Sequence, residues 1–438
     1  MNSVRSLLRI AIPLALAELG WMAMSVEDNI MVGRLPGSAV AIGAVSLGGA
    51  LFYAFAIFGI GLMSGLDTLV SHAFGAGDRA DARRSLASGL VLALAVAPVL
   101  AACILGSAPL LSVLGVSAVV RDQAIGFTRV LVWSLPLLLV YTTLRRYLQG
   151  IHYVHPVTFA LVTSNVLNVA GNWMLIYGHW GAPALGIRGS ALSTVIARVY
   201  LAGFLGAAVW WRDRLAFRGL RADFGRMRQL LGLGFPAALS IGLEVGVFNT
   251  ATALVGTLDP VSLAAHTIAL NAAAVTYMVP LGIGSAAAVS VGRALGAKDP
   301  RAAARAGWIA LGLTVAYEVA SALVFFLLPR PIARIYTADA RVISFSVNLF
   351  AIAAVFQVFD GLQTVATGAL RGAGNTRTAL WWNLLGYWVI GLPLGCWLCF
   401  GKGWGAVGMW DGLCVALMLT GTTLVWAWRR ETIALNIT

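Results

Sequence analysis

Residues Ile10–Val32 read IAIPLALAELGWMAMSVEDNIMV, an apolar segment in which the adjacent acids Glu27 and Asp28 lie near the C-terminal end. About 20 predominantly apolar residues are needed for an α-helix to cross the hydrocarbon core of a bilayer. The length and composition of this segment therefore predict a transmembrane helix that carries carboxylates inside it.

Two further apolar segments also contain an internal carboxylate. Leu230–Leu258 contains Glu244, and Val342–Leu370 contains Asp360. Acidic side chains within a membrane are costly, so they usually face a cavity and belong to an ion or substrate pathway. Together with Asp28, these residues favour an ion-coupled transporter.

The composition predicts a membrane protein along the whole chain. Of its residues, 60% are hydrophobic and 11% are charged, whereas soluble proteins contain about 25% charged residues. We predict an all-α integral membrane protein with twelve transmembrane helices and no soluble domain. The predicted spans are residues 8–33, 44–74, 84–106, 120–147, 154–178, 187–211, 229–257, 262–295, 303–328, 343–370, 378–400 and 405–428.

The basic residues are distributed unevenly between alternate loops. If the N-terminus is cytoplasmic, 21 Lys and Arg residues lie on the cytoplasmic side and 8 on the other, with Arg198 inside the sixth span. The positive-inside rule then predicts that both termini are cytoplasmic. This distribution also accounts for the net charge of +13, so we predict no nucleic-acid partner.

The second half of the chain repeats the first. With an offset of 223, Pro13 aligns with Pro236, and with an offset of 221, Phe74–Asp78 aligns with Leu295–Asp299. Each repeat contains six spans, an even number, so both insert with the same orientation, as parallel repeats do. We predict an N-lobe at 1–211, a cytoplasmic linker at 212–228 and a C-lobe at 229–438. Proline-kinked helices at matched positions could serve alternating access or be static bends.

The N-lobe has polar residues that could surround Asp28. Asn168 and Asn172 belong to a polar stripe on the fifth span, and Thr194 lies on the sixth. An aspartate that faces amide and hydroxyl groups is suited to bind a proton or a small cation. Alternatively, such a polar stripe forms hydrogen bonds that hold helices together. Glu27 is a secondary candidate, because adjacent helical residues point about 100° apart.

The C-lobe candidates are Glu244 and Asp360, with Phe356 one turn before Asp360 and Gln357 nearby. The ring of Phe356 could face a cation, and core or lipid packing is its alternative role. His266 near the outer start of the eighth span is a further candidate, with hydrogen-bonded structure as the alternative.

Enzyme motifs are absent from the sequence. There is no P-loop, no HExxH, no GxSxG and no dinucleotide-binding fingerprint in a strand–turn–helix context. We therefore predict a protein that is not an enzyme, has no cofactor and is energised by an ion gradient.

Several of these segments carry a family resemblance. Val26–Gly33, VEDNIMVG, resembles the first-helix motif of the multidrug and toxic compound extrusion (MATE) family. Further similar motifs follow in order along essentially the whole chain: Asn172-Trp173, Gly234-Phe235-Pro236, Ala264-Ala265-His266 with Asn271, Leu295-Gly296-Ala297 and Leu370-Arg371-Gly372. The pair Glu244 and Asp360 is similar to that of the NorM-like branch.

The resemblance implies a twelve-helix fold of two six-helix lobes around a central cavity, exporting organic cations in exchange for H⁺ or Na⁺. It implies a proton-linked N-lobe site at the matching positions Asp28, Asn168, Asn172 and Thr194. It also implies a C-lobe cation site, which could take Na⁺, at Glu244 and Asp360. The chain departs from the family pattern at two positions: Phe356 stands where some members have Tyr, and Glu27 adds a carboxylate.

We therefore predict a multidrug antiporter of the bacterial cytoplasmic membrane, active as a monomer on cationic amphipathic drugs or toxins. The alternative within the same superfamily is a flippase for lipid-linked precursors, which would carry a cationic cavity for phosphate groups. A channel or a membrane-embedded enzyme is a third alternative. The charges placed within the spans are mostly acidic, which favours cationic cargo.

Overall fold

The computed structural model describes residues 4–113, 117–217 and 223–437, and within these ranges the regular structure is entirely helical. The helices of the first half are α1 Val4–Val32, α2 Ser38–Met63, α3 Leu66–Gly75, α4 Arg79–Ser107, α5 Leu110–Val113, α6 Ala118–Leu131, α7 Leu135–Gly150, α8 His155–Tyr177 and α9 Ile187–Arg212. A short 3₁₀ turn, Val132–Ser134, joins α6 to α7.

The helices of the second half are α10 Phe224–Val255, α11 Pro260–Gly296, α12 Pro300–Leu327, α13 Pro329–Tyr336, α14 Ala340–Gly372, α15 Arg377–Asn383, α16 Leu392–Cys396 and α17 Gly405–Ile437. Two π-helical segments, Leu384–Gly391 and Trp397–Gly401, connect α15, α16 and the following loop.

Twelve helical segments in the described ranges are long and apolar enough to cross a membrane. They coincide one for one with the twelve predicted spans, so the predicted fold class is confirmed. Some spans consist of two helices, as in Val40–Gly75, where α2 and α3 follow each other, and Ala118–Gly150, which contains α6 and α7.

The same turn occurs at matched positions of the two repeats. After α3 and after α11 the chain turns through a residue with positive φ, Gly77 at 78° and Lys298 at 57°. The next residue, Asp78 or Asp299, donates its backbone N–H across the turn and caps the following helix with its carboxylate. This left-handed turn is the usual glycine-favoured end of a helix, and its repetition supports the duplication read from the sequence.

The chain forms two compact units that differ slightly from the predicted lobes. The N-terminal unit is Leu16–Ala238, and the C-terminal unit is Leu239–Thr438 together with Met1–Ala15. The start of α10 thus belongs to the N-terminal unit and the start of α1 to the C-terminal unit. Each change of unit falls two residues after the matched prolines, Pro13 and Pro236.

Close backbone packing explains this assignment. A Cβ atom added at Gly61 of α2 would lie 2.6 Å from the Cα atom of Ala238, and one at Gly282 of α11 would lie 2.5 Å from the backbone nitrogen of Ala15. Small residues allow this approach of helices in lipid. Of the predicted linker, residues 218–222, with Arg218 and Arg221, lie outside the described residues.

In the N-terminal unit, two neighbouring residues of α7 form largely buried ion pairs. Arg145 pairs with Glu18 of α1, and Arg146 pairs with Asp67 of α3, whose side chain is fully buried, at 3.0 Å. Charged side chains are tolerated inside a membrane protein when they are paired in this way. These acids are therefore accounted for structurally, unlike Asp28, Glu244 and Asp360.

Candidate functional site

The N-terminal unit brings Asp28 together with the three polar residues predicted to surround it. Asn172 of α8 donates a hydrogen bond of 2.6 Å to Oδ1 of Asp28, and Thr194 of α9 donates one of 3.3 Å to Oδ2. Asn172 also donates to Oδ1 of Asn168 at 3.0 Å. Asp28 is half-buried, and Asn168, Asn172 and Thr194 are buried.

This cluster depends on the helical period of α8 and on its packing against α9. Asn168 and Asn172 are four residues apart, so they lie on one face of α8. Ser193 of α9 donates to the backbone carbonyl of Asn168 at 2.9 Å, which holds the two helices together. The amide nitrogen of Asn168 and the amide oxygen of Asn172 have no hydrogen-bond partner, so the cluster retains both a free donor and a free acceptor.

Glu27 is not part of this hydrogen-bonded cluster. Its side chain is half-buried, and Oε2 has no hydrogen-bond partner. The helical rotation between adjacent residues accounts for the separation from Asp28. The role of Glu27 in ion coupling stays a prediction.

Arg198 of α9 is a buried cation that the sequence did not connect to a site. Its side chain is 1% exposed, and its terminal nitrogens donate to Ser134 at 2.5 Å and to the hydroxyl of Tyr53 at 3.0 Å. The guanidinium carbon lies 4.9 Å from the ring centroid of Phe52 and 6.0 Å from that of Trp21. It therefore lies in an aromatic box and forms no ion pair with a described carboxylate.

The C-terminal unit holds Glu244 in a second hydrogen-bonded cluster. Gln363 of α14 donates to Oε2 of Glu244 at 3.1 Å, and the hydroxyl of Tyr277 of α11 lies 3.4 Å from Oε1. Gln363 itself accepts from the hydroxyls of Tyr387, at 2.5 Å, and Thr420, at 3.2 Å. The glutamate is thus positioned by a chain of neutral donors.

Sequence reasoning missed Gln363, Tyr277, Tyr387 and Thr420. One signal was present: Gln363 follows Asp360 by three residues, so both lie on the same face of α14. The other three residues are on different helices, and no local pattern marks them.

Asp360 lies in a buried and predominantly acidic environment. Its side chain is 8% exposed, and Oδ1 has no hydrogen-bond partner. Glu244 is bonded to Gln363, which follows Asp360 by three residues on the same face of α14. Glu318 of α12 packs against Gly361 and also has an unpartnered oxygen. Gln357, one turn before Asp360, accepts hydrogen bonds from Thr276 and Ser321.

The structure places Phe356 and His266 in the core of the C-terminal unit. The ring of Phe356 packs against those of Phe248 and Trp410, with centroids 5.8 and 5.3 Å away. The indole N–H of Trp410 donates to Nδ1 of His266, and Nδ1 is therefore the unprotonated ring nitrogen. The other ring nitrogen, Nε2, lies 2.8 Å from the hydroxyl of Thr252. These contacts fix a neutral tautomer of His266, and no hydrogen bond links it to Glu244 or Asp360. Their roles as site residues stay predictions.

The two clusters share one chemical property. Each holds a carboxylate with neutral hydrogen-bond donors and without an ion-paired Arg or Lys. In the described ranges, no group of three or more His, Cys, Asp or Glu side chains is arranged to hold a metal ion. The arrangement suits exchangeable binding of a proton, a small monovalent cation or the cationic group of a larger molecule.

The match to a family model shows which protein family the chain belongs to. The MatE family model matches residues 13–174 and again residues 236–397. The chain belongs to the MATE family. The two matches begin at the two equivalent prolines, which confirms the offset of 223 between the repeats. As a MATE protein, the chain is a multi-pass membrane transporter and not an enzyme.

Similar full-length proteins place this MATE protein in the NorM-like branch. It is 36% identical to a probable multidrug resistance protein NorM of Mesorhizobium japonicum, over 99% of this chain and 95% of that protein. It is 37% identical to the multidrug resistance protein NorM of Burkholderia vietnamiensis, over 98% and 94%. A crystal structure of a MATE protein in a straight conformation has the same fold, with a TM-score of 0.90 at 20% identity, covering 100% of this chain and 98% of that one.

Proposed function

We propose that this protein exports organic cations in exchange for H⁺ or Na⁺ by alternating access. The observation that carries the proposal is the pair of carboxylate clusters, one around Asp28 and one around Glu244 and Asp360. Each lies in a membrane-spanning segment and lacks a basic ion-pair partner. The relatives from Mesorhizobium and Burkholderia are named as multidrug resistance proteins, which supports a broad range of drug-like cargo.

The physical basis is competition for negative charge. A buried carboxylate without a cation is unfavourable in a low-dielectric environment. A proton, a sodium ion or the cationic group of the cargo each removes this cost. Because one ligand occupies the charge that the other needs, each weakens binding of the other by the same factor. This reciprocal coupling is what an antiporter requires.

The flippase alternative is not favoured by the described site. Phosphate cargo would need several basic side chains, preferably arginines in bidentate geometry. The C-terminal cluster instead contains Glu244, Asp360 and Glu318, and the N-terminal cluster contains Asp28. Arg198 is a buried cation of the N-terminal unit, and its terminal nitrogens are engaged by Ser134 and Tyr53.

Transport by purified protein in liposomes tests the proposal. Ethidium and tetraphenylphosphonium would be followed under an imposed pH gradient, an imposed Na⁺ gradient and no gradient, with protein-free liposomes as the control. We expect at least one gradient to drive movement of the cation in the opposite direction to the ion. Cation movement at a rate that depends on neither gradient would rule out antiport.

We also propose that both termini are cytoplasmic, because that orientation puts 21 of the basic residues inside. The test uses a variant without the four native cysteines. A single cysteine at Ser38 or Lys402 should react with a membrane-impermeant maleimide in intact cells, whereas one at Asp78 should react only after permeabilisation. Labelling of Asp78 alone in intact cells would reverse the orientation.

A further inference from the structure

We propose that Arg198 is the fixed counter-charge of the Asp28 site, so that protonation of Asp28 changes the N-terminal cluster from neutral to positive. This inference rests on the proposed function. It assigns a positioning role, since Arg198 acts on the exchanged ligands through Asp28 and not by contact with them.

Arg198 lies close to the Asp28 cluster along both α9 and α1. On α9, Arg198 follows Thr194 by one helical turn, and Thr194 donates to Asp28. On α1, Trp21 precedes Asp28 by seven residues, two turns on the same face, and Trp21 lies against the guanidinium of Arg198. The two helices thus meet in successive layers, one with Asp28 and Thr194 and the next with Trp21 and Arg198.

The contacts of Arg198 are those of a charge fixed in place. Two of its nitrogens bond to the neutral oxygens of Ser134 and Tyr53, and Nε has no hydrogen-bond partner. By contrast, Arg145 and Arg146 of α7, which are largely buried, each contact a carboxylate directly. A buried cation without direct compensation is costly and needs a nearby anion. Asp28 is the carboxylate reached through Thr194, which donates to it and lies one helical turn before Arg198 on α9.

The remaining titratable groups around the pair do not supply that anion. Glu27 lies outside the hydrogen-bonded cluster that joins α1 to α9, and its Oε2 has no hydrogen-bond partner. The hydroxyl of Tyr53 accepts a hydrogen bond from Arg198, and the ring of Tyr141 stacks on that of Trp21. Glu18 is already paired with Arg145. Asp28 and Arg198 therefore form one separated charge pair inside the unit.

This pairing has a consequence for exchange. When Asp28 is ionised, Arg198 offsets its charge from a distance without contacting it, so an organic cation is still attracted to the carboxylate. When Asp28 binds a proton, the charge of Arg198 remains uncompensated in a low-dielectric region and repels a cation there. Proton binding would thus release cationic cargo by repulsion as well as by loss of attraction.

The test measures the pH dependence of tetraphenylphosphonium binding to the purified full-length protein in detergent. In Arg198→Met, Asp28 should hold its proton more tightly, so the pH of half-maximal cation binding should rise. We expect a rise of about one pH unit, the lower end of the pKa shifts that a nearby opposite charge causes. Arg198→Lys keeps the charge and should restore a midpoint near that of the wild type. In an Asp28→Asn background, Arg198→Met should cause no further shift.

If Arg198→Met does not fold, the double variant Tyr53→Phe with Ser134→Ala provides the second test. It keeps the charge but frees the guanidinium to approach Asp28, so the midpoint should move to lower pH. An unchanged midpoint in folded Arg198→Met, or a shift that persists in Asp28→Asn, would overturn the inference while the proposed function stands. If the wild type binds the cation with an affinity that depends on neither pH nor Na⁺, the proposed function would be overturned, and the inference with it.

Discussion

Ion-driven efflux is expected to be lost, by on the order of 100-fold, in each of the variants Asp28→Asn, Glu244→Gln and Asp360→Asn, since a coupling free energy of up to about 3 kcal/mol disappears. The amide has the shape of the carboxylate but cannot carry the negative charge for which ion and cargo compete. The hydroxyl partners, Thr194 of Asp28 and Tyr277 of Glu244, can accept a hydrogen bond from the new amide as well as donate one. Asp360→Asn removes a buried charge and breaks no described hydrogen bond. Each variant should therefore still fold and insert.

The three variants should differ in which ion they affect. If H⁺ is the coupling ion, Asp28→Asn should have the largest effect, and if Na⁺ is, Glu244→Gln or Asp360→Asn should. The measurement is ethidium efflux from energised vesicles with equal amounts of transporter. Asp122→Asn is the matched control, because Asp122 is an exposed acid on α6 that pairs with the adjacent Arg121. Wild-type efflux in all three site variants would remove the carboxylate mechanism.

Glu18→Gln is expected to have the largest effect on stability. The side chains of Glu18 and Arg145 are 11% and 9% exposed, so their ion pair is nearly buried. Removal of one partner leaves the other charge buried and unpaired, which costs about 3–5 kcal/mol. A loss of that size is a large part of the total stability of about 5–15 kcal/mol that proteins typically have. We therefore expect a strongly reduced yield of folded protein.

Thermal unfolding of detergent-purified protein, followed by size-exclusion chromatography, measures this loss. Arg341→Gln is the control, because its pair with Asp339 is exposed, with 79% of the arginine side chain accessible, and such pairs contribute little. The double variant Glu18→Gln with Arg145→Met should recover much of the lost stability, since it removes the unpaired charge. A Glu18→Gln protein as stable as the wild type would show that Arg145 finds another partner.

The sequence by itself determined the membrane class, the twelve spans and the duplication. These properties depend on composition, on segment length and on spacing along one helix, all of which are local in the chain. The cluster of Asp28 with Asn168, Asn172 and Thr194 was also anticipated. Its geometry follows from the helical period of α8, and the resemblance to the MATE family supplied the pairing of helices.

The tertiary structure decided what depends on contacts between helices. The start of α1 groups with the C-terminal unit because Ala15 packs on Gly282, and a hydropathy pattern contains no such information. The partners of Glu244 come from α11 and α14, far apart in sequence. Arg198 looked like an isolated charge in a span, and only its aromatic box and its position one layer from Asp28 gave it a role. Helix–helix packing selects which polar side chains meet, and that selection is not encoded in the periodicity of any single segment.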